Sequence, residues 1–287
     1  MISEIVHRLL HRRPNTNKYD FGHILILGGA PGMVGAPLLA GEAALRTGAG
    51  LVTIASSAEV TGKLEKRVKE IMTLALPESQ NVEVIADRLW SFIREHHVTV
   101  VIIGPGLAAS SADLVRTFLA RLHVPVILDA GGLTAFHGHL SVLRGIASKN
   151  PAVVITPHVG EYERLTNTLL PQHIHATSIA TDFARRHGVT LVLKGHKTLV
   201  AQPDGSSYEN TTGGPGLATA GTGDVLAGVI AGLIAQGVTP SGAVVAGVYL
   251  HGLAGDLASA AKTEPGVIAS DIITALPEAL KKADKSN

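Results

Sequence analysis

The sequence predicts an α/β fold: a mainly parallel central sheet with helices on both faces, in a single domain. Short apolar runs rich in Val and Ile recur at 23–27, 51–55, 72–76, 99–103, 125–128, 152–155, 190–193 and 198–201. They are continuous rather than alternating, the pattern of strands buried on both faces. Helical patterns at 36–47, 57–69, 82–95, 111–121 and 177–187 lie between them. Strand–helix alternation at this spacing gives βαβ units with right-handed crossovers. No linker-like change of composition and no internal repeat divides the 287 residues.

Before the first strand, MISEIVHRLLHRR is short and amphipathic, with no apolar core of the kind a secretory signal needs. Residues 1–17 are read as an N-terminal helical extension and 18–287 as the domain. After the polar turn Pro203-Asp204-Gly205 the chain becomes helix upon helix, at 224–236, 241–261 and 270–282. Gly237 sits where a helix C-cap belongs, and Pro240 opens the next helix in the turn that tolerates it. The apolar stretch 225–238 falls short of the roughly 20 residues a spanning helix needs and reads as a buried core helix. A cytoplasmic protein without membrane association is the expectation.

Composition narrows the function. Apolar residues make up 46% of the chain but aromatics only 3%, so the apolar content is Ala, Val, Leu and Ile, joined by 32 glycines. That mixture suits close helix–sheet packing and glycine-rich ligand loops. Charged residues are only 16% and the formal charge is +1, which leaves no basic face for nucleic acid or anionic lipid. The absence of cysteine excludes disulfides, thiol catalysis and thiolate metal sites.

Ligands of open α/β sheets bind beyond the carboxyl ends of the strands, and six segments there carry glycine or polar residues. Gly28-Gly29-Ala30-Pro31-Gly32 follows the first strand, with Gly35-Ala36 opening the next helix. Its small residues suit either a flat ligand or a plain tight turn. Ile103-Gly104-Pro105-Gly106 ends another strand and is weak evidence alone. Asp129, in Leu-Asp-Ala-Gly-Gly, can orient a ligand, hold Mg²⁺ through water or cap the next turn. Thr156-Pro157-His158-Val159-Gly160-Glu161 presents His158 from a stiff loop and places Glu161 in a first helical turn. Lys194-Gly195-His196-Lys197-Thr198 joins two strands and is either a phosphate contact or a solvated hairpin. The most specific segment is 211–224, where Gly221, Thr222 and Gly223 enter an apolar helix. Their consecutive backbone amides form an anion hole suited to a transferred phosphoryl group, and Asp224 at its rim can take a proton from an attacking hydroxyl.

A Gly-x-Gly-Asp anion hole opening a late helix, in an α/β chain of this size, resembles the ribokinase-like superfamily. Four motifs narrow the match: GAPLLAGEAALRTGAGLVT (35–53), NPAVVITPHVGE (150–161), VLKGHKT (192–198) and GGPGLATAGTGDVLAGVIAG (213–232). Together they are similar to the ADP/ATP-dependent NAD(P)H-hydrate dehydratases, from about Lys18 to the last helix. The resemblance implies repair of the nicotinamide ring hydrate. The ring hydroxyl of the S epimer is phosphorylated from ADP or ATP, and phosphate leaves to regenerate NAD(P)H. It also implies site residues. Asp224 is then the base and a hydrate contact, with Ala36, Gly106 and His158 lining the dinucleotide substrate. Lys194, Gly195, His196, Lys197, Thr198 and Gly223 hold the donor nucleotide, and Mg²⁺ bridges the donor's phosphates. The metal's protein ligands stay open, because no second acid follows Asp129. ADP is the expected donor, a homotetramer the expected assembly and a separate NAD(P)H-hydrate epimerase the expected partner, since few residues precede the match. The rival functions are a vitamin-alcohol kinase of the same fold and a non-catalytic nucleotide-binding sensor.

Overall fold

In the computed structural model, which describes residues 1–150, 152–170 and 176–284, nine strands form one sheet. The last residues of the expected 18–287 domain, 285–287, lie outside the described residues. The strands are β1 (His23–Leu27), β2 (Leu51–Ser57), β3 (Met72–Leu76), β4 (Val100–Ile103), β5 (Val126–Leu128), β6 (Val153–Ile155), β7 (Thr190–Leu193), β8 (Leu199–Ala201) and β9 (Ser207–Glu209). Their order is β3-β2-β1-β4-β5-β6-β7-β8-β9. Pairing is parallel from β3 to β7, and β8 and β9 close the edge antiparallel.

The continuous apolar runs are explained by helices on both faces. In β1, Ile24 and Ile26 enter one core while Leu25 and Leu27 enter the other, and β4 divides in the same way. The first core is covered by α1 (Ile2–Leu10), α2 (Gly35–Thr47), α3 (Ala58–Leu64), α10 (Thr222–Ala235), α11 (Pro240–Ala261) and α12 (Ala269–Ala283). The second is covered by α4 (Val82–Glu95), α5 (Ala112–Leu119), α6 (Gly131–Thr134), α7 (Leu140–Ala147), α8 (Val159–Thr166) and α9 (Ala176–His187).

Small residues bring α2 against α10. A Cβ on Gly228 would stand 2.1 Å from the Ala40 carbonyl oxygen, and one on Gly232 2.9 Å from that of Ala44. Among the described residues, α11 is the one helix long and apolar enough to cross a membrane, but 67% of its apolar window is buried. Val6 of α1 is fully buried in the first core, so the N-terminal segment packs onto the domain.

Three expectations need revision. The helix expected over 57–69 stops at Leu64, where its buried face ends, and the Arg67 amide turns back onto the Leu64 carbonyl. Helices α6 and α7 occupy a stretch in which no element was expected; four glycines there (131, 132, 138 and 145) dilute the helical signal. Strand β9 was also missed, being three residues of a mostly exposed edge.

The sheet order runs outward from β1 to β2 and β3 on one side and to β4 and its followers on the other. The loops after β1 and β4 touch, the Gly29 amide donating to the Pro105 carbonyl at 2.8 Å. Such a reversal of strand order leaves a crevice at the carboxyl edge, and the segments singled out in the sequence converge there.

Candidate active site

Three groups from three successive strand ends, with Glu161 of α8, form the base of the site. Asp129 follows β5 and is buried, and Ala130 behind it takes a positive φ of 45°. Gly104 makes room for this turn, since a Cβ there would lie 1.7 Å from the Asp129 carbonyl oxygen. Thr156, after β6, donates its hydroxyl to Asp129 Oδ1 at 2.8 Å. Lys194, after β7, donates to the same oxygen at 2.8 Å and stands 3.7 Å from Glu161 Oε2. Burial works against the lysine's charge, but Asp129, Glu161 and Asp224 outweigh it, and its pKa is raised. A permanent cation therefore sits among three carboxylates.

His158 is the N-cap of α8. Its Nδ1 accepts from the Glu161 amide at 3.2 Å, while the Glu161 carboxylate accepts from the His158 amide at 2.8 Å. This reciprocal capping box satisfies two helix-end donors. It also leaves the neutral ring's proton on Nε2, which stands 3.6 Å from Glu161 Oε2. Glu161, read in the sequence as a helix-end charge, closes this box and approaches Lys194.

The amino end of α10 provides the complementary part. Gly221 is its N-cap, with φ 89°, and no side chain caps the helix. Among the described residues, no acceptor pairs with the backbone amides of Thr222, Gly223 or Asp224. The Thr222 hydroxyl is instead 3.0 Å from the Leu217 carbonyl oxygen, tying the glycine-rich loop to the helix. A Cβ on Gly223 would lie 3.1 Å from Lys194 Nζ, so amide edge and ammonium adjoin.

Asp224 forms no ion pair among the described residues. Burial first, and then the charge of Asp129, push its carboxyl up to about 7, with Lys194 pulling the other way and Glu161 adding to the rise. Near neutrality the group is divided between acid and base, the condition in which general-base catalysis is most effective. Its Oδ2 is 4.0 Å from where a Gly221 Cβ would be, and Leu39 of α2 reaches the same glycine. The carboxylate also lies within electrostatic reach of Asp129, Lys194 and Glu161 at the base of the site.

A cavity of about 610 Å³ adjoins Thr222 and Gly223. Of the sequence-predicted residues, His158, Lys194, Gly195, His196, Thr198, Thr222 and Gly223 line it. Lys197 does not; its ammonium is paired at 3.1 Å with Glu209 on β9. Ala36, Gly106 and Asp224 also lie outside the lining. Ala36 and Gly106 face each other across the two touching loops, a Cβ on Gly106 falling 3.3 Å from that of Ala36. Most of the expected donor residues therefore line one cavity, joined by His158, while Ala36, Gly106 and Asp224 stand outside its lining.

The cavity also uses residues the sequence did not reveal. Asn210 holds the glycine-rich loop to α11 through the Thr212 and Val248 carbonyls, at 2.9 and 3.2 Å. His251 of α11 is buried with its Nε2 unpartnered, and burial pushes its pKa down to about 4 against a hydrogen bond to the Thr222 backbone. Both sit in helical or edge contexts with no local motif.

This geometry can be set beside known proteins. The profile of the NAD(P)H-hydrate dehydratase family matches residues 24–278. The bifunctional NAD(P)H-hydrate repair enzyme of Moorella thermoacetica is 42% identical over 97% of this chain. The chain spans 53% of that relative, about half its length. The ADP-dependent (S)-NAD(P)H-hydrate dehydratase of Listeria monocytogenes is 34% identical, over 94% of this chain and 91% of that protein. Two solved structures share the fold. A ribokinase-like superfamily protein from Enterococcus faecalis superposes with a TM-score of 0.80 at 32% identity, covering 98% of this chain and 94% of that one. The Bacillus subtilis ADP/ATP-dependent NAD(P)H-hydrate dehydratase, co-crystallised with ATP/Mg²⁺, gives 0.78 at 29%, covering 98% and 97%. The fold is ribokinase-like, and the chain belongs to the NAD(P)H-hydrate dehydratase family.

Proposed function

We propose that this chain dehydrates the S epimer of NAD(P)H hydrate, a hydro-lyase reaction driven by phosphoryl transfer from ADP. The observation that carries the reading is Asp224, a carboxyl poised near pH 7 beside three unpaired helix-end amides. Asp224 accepts the proton of the ring hydroxyl as its oxygen attacks the terminal phosphorus of the donor. The new O–P bond forms as the bond to the departing AMP breaks. The amides of Thr222, Gly223 and Asp224 receive the charge that spreads over the migrating group. The ring nitrogen's lone pair then expels phosphate, and loss of a proton from the adjacent carbon restores the dihydropyridine. Hydroxide, a poor leaving group, has been exchanged for phosphate.

The cavity lining, and the residues that stand outside it, support a placement of the two ligands. The donor occupies the cavity lined by Lys194, Gly195, His196, Thr198 and Gly223, and the hydrate lies on the Ala36–Gly106 side, reaching Asp224. His158 lines the donor cavity as well. Lys197 belongs to the same segment but stands outside the cavity lining, paired with Glu209. Mg²⁺ accompanies the donor. Asp129 and Glu161 offer the oxygen ligands that a hard cation takes, but Lys194 Nζ already stands between them, so the ion's place is on the nucleotide's phosphates. An activity that interconverts the hydrate epimers is the proposed partner, in line with the bifunctional name of relatives twice as long. A cytoplasmic homotetramer completes the proposal.

Recovery of dihydronicotinamide absorbance from the S hydrate, with ADP and ATP in parallel, tests the reading. The expected result is recovery with stoichiometric phosphate and AMP. A stable phosphoester without recovered absorbance would instead identify a kinase of the same fold.

A further inference from the structure

A second group of ligating side chains lies where the first and last helices meet. His7 and His11 are one turn apart on α1 and its C-cap, with ring centroids 4.2 Å apart. Asp284 caps α12 beneath them, its side chain only 1% exposed. One ligand atom from each of the three lies within 4.8 Å of the other two. Gln236, beside His11 in the wall of a second cavity, caps the far end of α10 from Gly223. The helix between them is about 20 Å long at 1.5 Å per residue, so this cluster is separate from the candidate active site.

We propose that His7, His11 and Asp284 form a binding site for a divalent transition-metal cation of the Zn²⁺ class. His7 Nδ1 stands 3.3 Å from Asp284 Oδ2. Two ligand atoms bound tetrahedrally to Zn²⁺ at about 2.0–2.1 Å are separated by about 3.3–3.4 Å, so this pair already spans one edge of a coordination tetrahedron. The His11 ring is prepared independently. Its Nδ1 is 2.7 Å from the His7 carbonyl oxygen; a carbonyl only accepts, so Nδ1 carries the proton and Nε2 keeps its lone pair. A backbone carbonyl fixing the far nitrogen is the usual support of a metal-bound imidazole. His11 also lines the second cavity, of about 440 Å³, which leaves room for water as a fourth ligand. Arg8, Arg12 and Arg13 share that wall with Asp20; Arg12 is turned to the Gly48 carbonyl and the Phe21 ring, and the buried Asp284 carboxylate supplies the negative charge at the ligand cluster itself. Two nitrogen donors and one carboxylate favour borderline cations over Mg²⁺ or Ca²⁺. A bound ion would join α1 to α12.

Untagged, chelator-treated full-length protein titrated with Zn²⁺ and with Mg²⁺ in a calorimeter tests the site, with thermal unfolding followed in parallel. The expected result is one Zn²⁺ per chain, a rise in melting temperature with Zn²⁺ and no matching response to Mg²⁺. His11→Ala and His7→Ala should each weaken Zn²⁺ binding at least tenfold, whereas His123→Ala, at another exposed histidine, should leave it unchanged. His11 is exposed, so its variant should melt with the wild type when no metal is present. Zn²⁺ affinity that survives both substitutions, or the absence of saturable binding, would overturn the proposal.

Discussion

At the residue scale the proposed reaction rests on Asp224 as its base. Replacement by Asn removes the proton acceptor while keeping shape, and kcat should fall by about 10²–10⁴-fold with donor affinity retained. A steady-state comparison of the two proteins checks this. The pH profile follows from the same group. Below a pKa of about 7 the carboxyl is protonated and cannot act as base, so kcat/KM should fall roughly tenfold per pH unit on the acid side and level off above neutrality. Lys194 lowers the Asp224 pKa; Lys194→Met should therefore move the inflection to higher pH as well as reduce the rate. A profile with the inflection unmoved would separate the two groups.

Stability runs in the opposite sense. The Asp224 pKa is raised on folding from 3.8 to about 7, so the folded state holds its proton more tightly than the unfolded chain. That contribution is fully present below the unfolded pKa and is lost as pH rises through the folded value. Asp224→Asn should accordingly melt higher than wild type at pH 8, by an amount on the order of 2 kcal/mol or more, and differ little at pH 4. Denaturation at the two pH values reads this directly. Asp224 was legible in the sequence because glycines and a helix start surround it. Its neighbours Asp129 and Lys194, 65 residues apart, meet only because β5, β6 and β7 are adjacent, which no local pattern states. His158 was legible as a residue of a stiff loop, but its role as an N-cap was not, because histidine is not a common capping residue.

At the scale of elements, the α2–α10 contact positions two parts of the site, since α2 opens with Ala36 and α10 with the unpaired amides. Gly228→Ala would drive a Cβ to 2.1 Å from the Ala40 carbonyl. The helices must separate, at a cost of about 2–3 kcal/mol typical of overpacking, and activity should fall with stability. Gly145→Ala is the contrasting case. It lies inside α7 with no atom within 4 Å of the new Cβ, and should stabilise by about 0.5–1 kcal/mol with activity unchanged. Thermal melts of the pair test whether the α2–α10 approach, rather than glycine content, is the constraint. The central strands were read from sequence almost to the residue because both of their faces are buried, whereas β3 is half exposed and β9 mostly exposed. The segment 129–150 was not, because α6 depends on a positive φ at Ala130 and on close passage of Gly131 and Gly132 under the Leu107 and Ile103 carbonyls. Those are tertiary contacts without a periodic signature.

For the whole molecule, the sequence-level picture of one parallel-sheet domain with a helical C-terminal layer agrees with the sheet order and the two cores. What the sequence could not display is a cavity that takes in His158 and the 194–198 segment but leaves Ala36, Gly106 and Asp224 outside its lining. The central claim of the proposed function is that phosphate passes from a donor in the cavity to a hydrate held by Asp224 before dehydration. The most direct measurement is a single-turnover reaction of the protein with the S hydrate and ADP labelled in its terminal phosphate, comparing wild type with Asp224→Asn. The account predicts that label appears as free phosphate in step with recovered dihydronicotinamide in the wild type, and that the Asn variant binds ADP yet releases neither product. Recovery of the dihydronicotinamide without consumption of ADP, or undiminished turnover in the Asn variant, would contradict it.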